Sequence, residues 1–182
     1  QHKKHSRREH LNDFHLNVAG EYVYDGALYA CQSSEEKQHR IKRAVWGMAA
    51  ILIVAVIAGG CIPAPGMQNC FYVLLPYLGE FLGAASVIWA LAKLGTDWSA
   101  VREYNYKKSV AVLPVRTAVT AVFSLLGIVC ELIFFFVNDH AGQTFFALLY
   151  VLLKLTALLS ALVLRAEIMQ AEWDKLPKKD NS

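Results

Sequence analysis

Four long apolar stretches limit what this chain can fold into, because each is long enough to cross a membrane as a helix. A helix crosses the hydrocarbon core with about 20 residues. Glu80, Glu131 and Lys154 lie inside the last three stretches, but one charge costs only about 2.5–3.5 kcal/mol on the insertion scale, which a stretch of this length outweighs. We therefore predict four transmembrane segments, which cover residues 44–60, 71–94, 115–137 and 144–164.

The composition is that of a membrane protein. Hydrophobic residues make up 55% of the 182 residues and charged residues 18%, and the charges are concentrated in a few segments. The predicted fold class is an all-α membrane protein, a four-transmembrane-helix bundle with a small cytoplasmic β-hairpin near the N-terminus. The first stretch lies too far along the chain to be a cleavable signal peptide, so we expect it to remain in the mature protein.

The basic residues predict the orientation of the chain. Lys and Arg are absent from the connections at 61–70 and 138–143, whereas the other three polar segments contain many. The positive-inside rule places the basic segments in the cytoplasm. We expect a multi-pass protein, in the cell membrane, with both termini cytoplasmic and a basic face that attracts anionic lipid head groups. No segment resembles a nucleic-acid-binding motif, so no nucleic-acid partner is expected.

The residues before the first stretch divide into two parts. Residues 1–13 are basic and rich in histidine, which predicts a flexible arm, and the histidines lack the spacing of a metal site. Residues 14–43 predict a β-hairpin and a linker helix, since polar and apolar residues alternate around Ala19-Gly20 and Asp25-Gly26. Ser33 is expected to cap the linker helix, which runs on into the first stretch.

A hairpin of this size is marginally stable alone. We therefore expect its tyrosines to pack on another part of the protein or on a partner; they are Tyr22, Tyr24 and Tyr29.

Two further polar segments are predicted on the cytoplasmic side, a loop at 95–114 and a tail at 165–182. Each is expected to continue the preceding helix, and the loop helix is expected to break before Pro114. Their aromatic residues are predicted to anchor the protein at the membrane interface, as Trp and Tyr often do. These residues are Trp98, Tyr104, Tyr106 and Trp173.

Cys61 and Cys70 flank the first connection, on the side predicted to be outside the cell. Because that side is oxidising, we predict a disulfide between them, with two free thiols as the alternative. A thiol oxidoreductase is disfavoured, because the chain has no Cys-x-x-Cys pair.

Glu80, Glu131 and Lys154 predict an intramembrane charge cluster. At about 1.5 Å per residue they lie roughly 13, 9 and 15 Å below the outer ends of their segments, so their depths are similar. Charges at such depth are expected to pair inside the protein, and Glu80 is the better partner for Lys154 because Glu131 is shallow enough to reach the outer interface. One of the two carboxyl groups is then expected to be uncharged or to contact water.

Two readings of this cluster are open. It is either an ion pair that fixes the register of the helices or a site that couples to a proton or a cation.

Small residues predict close helix packing. Gly79 and Gly83 form a GxxxG step beside Glu80, and Ala157 and Ala161 form a similar step on the fourth segment.

An offset of 74 residues aligns the second segment with the fourth and places Glu80 opposite Lys154 and Lys93 opposite Glu167. This alignment predicts a duplicated helical hairpin.

The first functional hypothesis is a non-enzymatic accessory or scaffold subunit. It would act through helix packing and its basic cytoplasmic face, as a homo-oligomer or with a partner membrane protein. The alternative is a small dimeric transporter or ion-conducting protein that uses the charge cluster. An enzyme is not predicted, and no cofactor is expected, because the spans contain no histidine pair, no HExxH motif and no Ser-His arrangement.

Overall fold

The computed structural model describes residues 14–16, 22–24, 26–138 and 143–177. The described residues are mostly helical, with short strands near both ends and in the middle segment. The helices are α1 (Glu35–Cys61), α2 (Pro65–Asn69), α3 (Phe71–Leu94), α4 (Glu103–Lys108), α5 (Leu113–Val137) and α6 (Thr144–Met169). The strands are β1 (Phe14–Leu16), β2 (Tyr22–Tyr24), β3 (Leu28–Cys31), β4 (Val101–Arg102) and β5 (Trp173–Lys175).

Four of these helices, α1, α3, α5 and α6, are long and apolar enough to cross a membrane. The sequence prediction of four such helices is therefore confirmed. The prediction that the linker helix runs straight into the first apolar stretch is also confirmed, since α1 includes both. Its cap is Ser34 rather than Ser33, because the Ser34 side chain accepts a hydrogen bond from the backbone N–H of Lys37 at 3.4 Å.

The long helices form a bundle in which α6 packs against both α1 and α5, and α5 packs against α3. Each buries one stripe of residues at helical spacing. At Gly83 of α3 an added Cβ would lie 2.6 Å from the Thr120 hydroxyl oxygen and 3.3 Å from the Thr120 Cα on α5, and at Gly79 it would lie 2.5 Å from the Phe123 ring. The GxxxG step therefore lies where α3 and α5 approach closely.

Ala157 and Ala161 are fully buried on α6 and belong to the apolar core of the bundle. The packing departs from the two-fold arrangement of a duplicated hairpin, because α5 and α6 pack along much of their length whereas α1 and α3 meet over a shorter stretch. Lys93, aligned with Glu167 in the repeat, instead lies over the rings of Trp89 and Tyr104.

The segment between α3 and α5 differs from the prediction. Instead of continuing as a helix, α3 ends at Gly95, whose φ of 68° favours glycine. Hydrogen bonds from the side chain and the backbone N–H of Ser99 then hold the pKa of Asp97 below its usual range. Strand β4 and helix α4 follow, and Pro114 lies in the first turn of α5, where no helical N–H is needed.

Two small antiparallel sheets lie outside the bundle. β1 pairs with β2, with Phe14 opposite Tyr24 and Leu16 opposite Tyr22. β3 joins a different sheet, in which it lies between β4 and β5, so that Leu28 faces Arg102 and Cys31 faces Trp173. The turn predicted at Asp25-Gly26 therefore does not join paired strands.

We call β3, β4, β5, α4 and Trp98 the cap, because they cover one end of the bundle. Trp98 is 2% exposed and its ring centroid lies 5.4 Å from that of Trp173, while Tyr29 stacks on Tyr106 at 4.2 Å. The prediction of interfacial anchors is thus wrong for Trp98, which is an interior residue of the cap. Tyr29 packs on another segment as predicted, whereas Tyr22 is 76% exposed.

At the opposite end, α2 connects α1 with α3. Cys61 and Cys70 are both free thiols, so the predicted disulfide is not formed. Cys61 is the last residue of α1 and Cys70 directly precedes α3, so the separate helix α2 lies between them in the chain. The flexible arm predicted at 1–13 lies outside the described residues.

Candidate functional site

The interior of the bundle contains a charge pair that joins two helices. Nζ of Lys154 on α6 hydrogen-bonds to Oε2 of Glu80 on α3. Both residues lie on the buried stripes of their helices, so both side chains point into the bundle. A third helix contributes Ser124 of α5, whose hydroxyl donates to Oε1 of Glu80 at 2.6 Å.

Aromatic rings enclose the Lys154 ammonium. Its Nζ lies 4.6 Å from the ring centroid of Tyr77 and 5.0 Å from that of Tyr150, so cation–π attraction adds to the ion pair. Gly60 leaves room for one of these rings, because an added Cβ there would lie 2.0 Å from the Tyr77 hydroxyl oxygen. A Cβ at Gly127 would make only an ordinary contact with Lys154, at 3.5 Å from Cε.

The pair is closed to solvent. Glu80 is 0% exposed and Lys154 is 2% exposed, so no water-sized space adjoins the carboxylate. A charge in such surroundings is stabilised only by its partners. Glu80 has two such partners, and Lys154 has the carboxylate and two rings. The arrangement therefore neutralises itself inside the protein.

Glu131 lies nearer the α2 end of the bundle and is 1% exposed. Its Oε1 accepts a long hydrogen bond of 3.4 Å from the backbone N–H of Gly66 on α2. Its Oε2 has no hydrogen-bond partner among the described residues, and the same holds for the buried hydroxyl of Tyr150. A Cβ at position 66 would lie 2.2 Å from Oε2 and 3.1 Å from Cγ2 of Val73, so glycine leaves the room that the Glu131 carboxyl group occupies.

The structure thus brings Glu80 and Lys154 together and leaves Glu131 apart from them. Within the described part of the chain, Lys154 forms a salt bridge with Glu80 alone. Glu131 does not reach the surface at the α2 end, because α2 packs over this end of α5 and covers the carboxyl group.

The residues that complete the site are not among those predicted from the sequence. Ser124 could have been found, because it lies seven residues before Glu131 and so shares its helix face. Tyr77 and Tyr150 gave no such signal, because single tyrosines are common in apolar helices. Gly66 looked like an ordinary turn residue directly after Pro65.

The described residues include no group of three or more His, Cys, Asp or Glu side chains that could hold a metal ion. No protein-family profile matches the sequence, and neither a curated protein nor a solved structure is significantly similar to the chain.

Proposed function

We propose that this chain is an integral membrane protein that acts as a non-enzymatic accessory or scaffold subunit, with the cap on the cytoplasmic side. The observation that carries the proposal is the closed Glu80–Lys154 pair. A transport site must admit its ion or substrate, whereas this pair is satisfied by Ser124 and two aromatic rings and adjoins no water-sized space. Its geometry suits an ion pair that fixes the positions of α3 and α6 relative to each other across the interior of the bundle.

The outward faces of the long helices support insertion in a membrane. Each helix exposes large apolar side chains, including Val54 on α1, Leu82 on α3, Val122 on α5 and Leu159 on α6, all of them more than half exposed. A soluble monomer rarely exposes apolar surface on every side. Lipid would cover this surface, and the polar backbone of each helix is already hydrogen-bonded within the helix.

The cap supports a role in assembly. Three segments far apart in the sequence meet in it, and its exposed rim includes Arg102, Lys108 and Lys175. The positive-inside rule favours this end for the cytoplasm, where a partner protein or anionic lipid would meet the basic rim. A folded platform with a charged rim is suited to binding rather than to chemistry.

The experiment compares the size of the native particle in two variants. The full chain would be extracted with its surrounding lipid into polymer nanodiscs, and the protein mass of each particle measured. We expect a dimer or a complex with a partner protein. The charge-reversal variant Arg102→Glu/Lys108→Glu/Lys175→Glu should reduce this mass, whereas Glu80→Gln/Lys154→Met, which leaves the rim intact, should retain it. A strictly monomeric wild-type particle would overturn the proposal.

A second candidate function, proton- or cation-coupled transport by a dimer, is favoured by one observation. Glu131 and Tyr150 each bury a polar atom that has no hydrogen-bond partner among the described residues. Proteoliposomes with an imposed pH gradient distinguish the two candidates. Transport predicts a proton flux that Glu131→Gln abolishes, and a scaffold predicts the same low leak in wild type, Glu131→Gln and empty vesicles.

A further inference from the structure

One face of α1 contains an open groove where the helix changes from charged to apolar residues. We call it the α1 groove. Its volume is about 440 Å³. Its lining residues recur at helical spacing on the outside of the bundle and include Glu36, Arg40, Arg43, Gly47, Met48 and Ile51.

The half of the groove nearer the cap is basic. Arg40 and Arg43 are exposed and lie three residues apart, so their side chains project from neighbouring positions of the same helix face. The Arg40 guanidinium donates to the side-chain oxygen of Gln170 at 3.3 Å, which holds it beside the end of α6. Glu36 offsets one of the two charges, and within the described residues neither arginine is in a salt bridge.

The other half of the groove is apolar and unfilled. A Cβ added at Gly47 would meet nothing within 4 Å, so the space above this residue is open. Met48 and Ile51 continue the wall into the apolar belt of the bundle. From Arg43 to Ile51 the groove runs for about 12 Å along the helix, at 1.5 Å per residue.

We propose that the α1 groove binds one anionic phospholipid, with the phosphate between Arg40 and Arg43 and an acyl chain along Gly47 and Ile51. This inference rests on the membrane location given under the proposed function. Arginine suits the phosphate because its planar guanidinium donates two parallel hydrogen bonds to neighbouring oxygens. An acidic peptide from a partner fits less well, because it would match the basic half and leave the apolar half uncovered.

The test uses the full chain in nanodiscs of phosphatidylcholine with a minor share of phosphatidylglycerol. Native mass spectrometry would count the lipids that stay bound after release from the disc. We expect wild type to retain phosphatidylglycerol in excess of its share, and Arg40→Gln/Arg43→Gln to reduce this excess by at least about tenfold, because the loss of even one charge-assisted hydrogen bond has that effect. The matched control Lys93→Gln/Arg165→Gln removes the same charge from α3 and α6, outside both the α1 groove and the cap rim, and should retain the excess.

Gly47→Leu tests the apolar half without removing charge. The space above Gly47 accepts a side chain, so the variant should fold and lose the bound lipid by occlusion. Equal retention in wild type, the arginine variant and Gly47→Leu would overturn the inference. So would full displacement of the lipid by inorganic phosphate, or binding that needs an added acidic peptide. Failure of the chain to enter the disc would instead refute the proposed membrane location.

Discussion

The Lys154 side chain determines how the polar groups inside the bundle are arranged. An ammonium group on a buried stripe needs a carboxylate within reach, and Glu80 provides it from a helix that is 74 positions away in the sequence. Ser124 and the rings of Tyr77 and Tyr150 occupy the remaining directions around the pair. Each group is satisfied only if α3, α5 and α6 are assembled in this register.

Removing only one of the two charges of the Glu80–Lys154 pair should therefore destabilise the bundle. Lys154→Met leaves the carboxylate of Glu80 buried without its cation, and the expected loss is about 3–5 kcal/mol in the free energy of unfolding. Glu80→Gln leaves the ammonium in the same position and should cost a similar amount. The measurement is unfolding of purified protein in mixed micelles, followed by the loss of helical circular dichroism.

The double variant Glu80→Gln/Lys154→Met is the control for this prediction. It removes both charges and keeps a polar group at position 80 for the Ser124 hydroxyl, so most of the lost stability should return. If the pair contributes nothing to stability, the free energy of unfolding of each single variant will lie within about 0.5 kcal/mol of the wild-type value, which is the usual range for surface substitutions.

The sequence predicted the chemistry of this site better than its geometry. A buried ammonium group needs a carboxylate at similar depth on another helix, which is why Glu80 could be paired with Lys154 in advance. The position of Glu131 could not be predicted in this way. It depends on α2, a five-residue helix in a connection that reads as a simple turn, and on the room that Gly66 leaves for the carboxyl group.

At the scale of elements, the contact between α3 and α5 depends on a glycine that faces backbone. A methyl group at position 83 would lie 3.3 Å from the Cα of Thr120, and backbone cannot move aside as a flexible side chain can. The two helices would have to separate. Gly59 of α1 is the opposite case, because an added Cβ there meets nothing within 4 Å.

Gly83→Ala is therefore expected to lower the free energy of unfolding by about 1–3 kcal/mol, the usual cost of overpacking. Gly59→Ala should be neutral or stabilising by up to about 1 kcal/mol, because alanine is the better helix former. Unfolding in mixed micelles measures both. If the two variants behave alike, the close approach of α3 and α5 at Gly83 is not a determinant of packing.

The helices could be predicted from the sequence wherever a long apolar or helical pattern defines them. The apolar stretches and the continuous helix α1 are such cases. Strands β4 and β5 were not predictable, because they are two and three residues long. Their partner β3 lies roughly 70 residues from the one and more than 140 from the other, and no local pattern encodes pairings at such distances.

For the molecule as a whole, the cap is the feature that joins the N-terminal segment, the middle segment and the tail. β3 lies between strands from the other two segments, and the backbone N–H of Gln32 donates to the carbonyl of Glu172 at 2.8 Å. Lys37 adds a salt bridge to Glu172 at 3.0 Å, although exposed pairs of this kind contribute little. The packing of Tyr29 on Tyr106 and of Trp98 on Trp173 contributes more to the stability of the cap than this salt bridge does.

Trp173→Ala should loosen the cap and leave the bundle intact. The Trp173 ring packs against Trp98 at 5.4 Å and Tyr106 at 5.8 Å, so its removal takes the main anchor from β5. Hydrogen exchange measured by mass spectrometry should then be faster in β3 and at Gln32, while the peptides around Glu80 stay protected. Lys175→Ala, an exposed position on the same strand, should leave both regions unchanged. Faster exchange throughout α3, α5 and α6 would instead mean that the bundle requires the cap in order to fold.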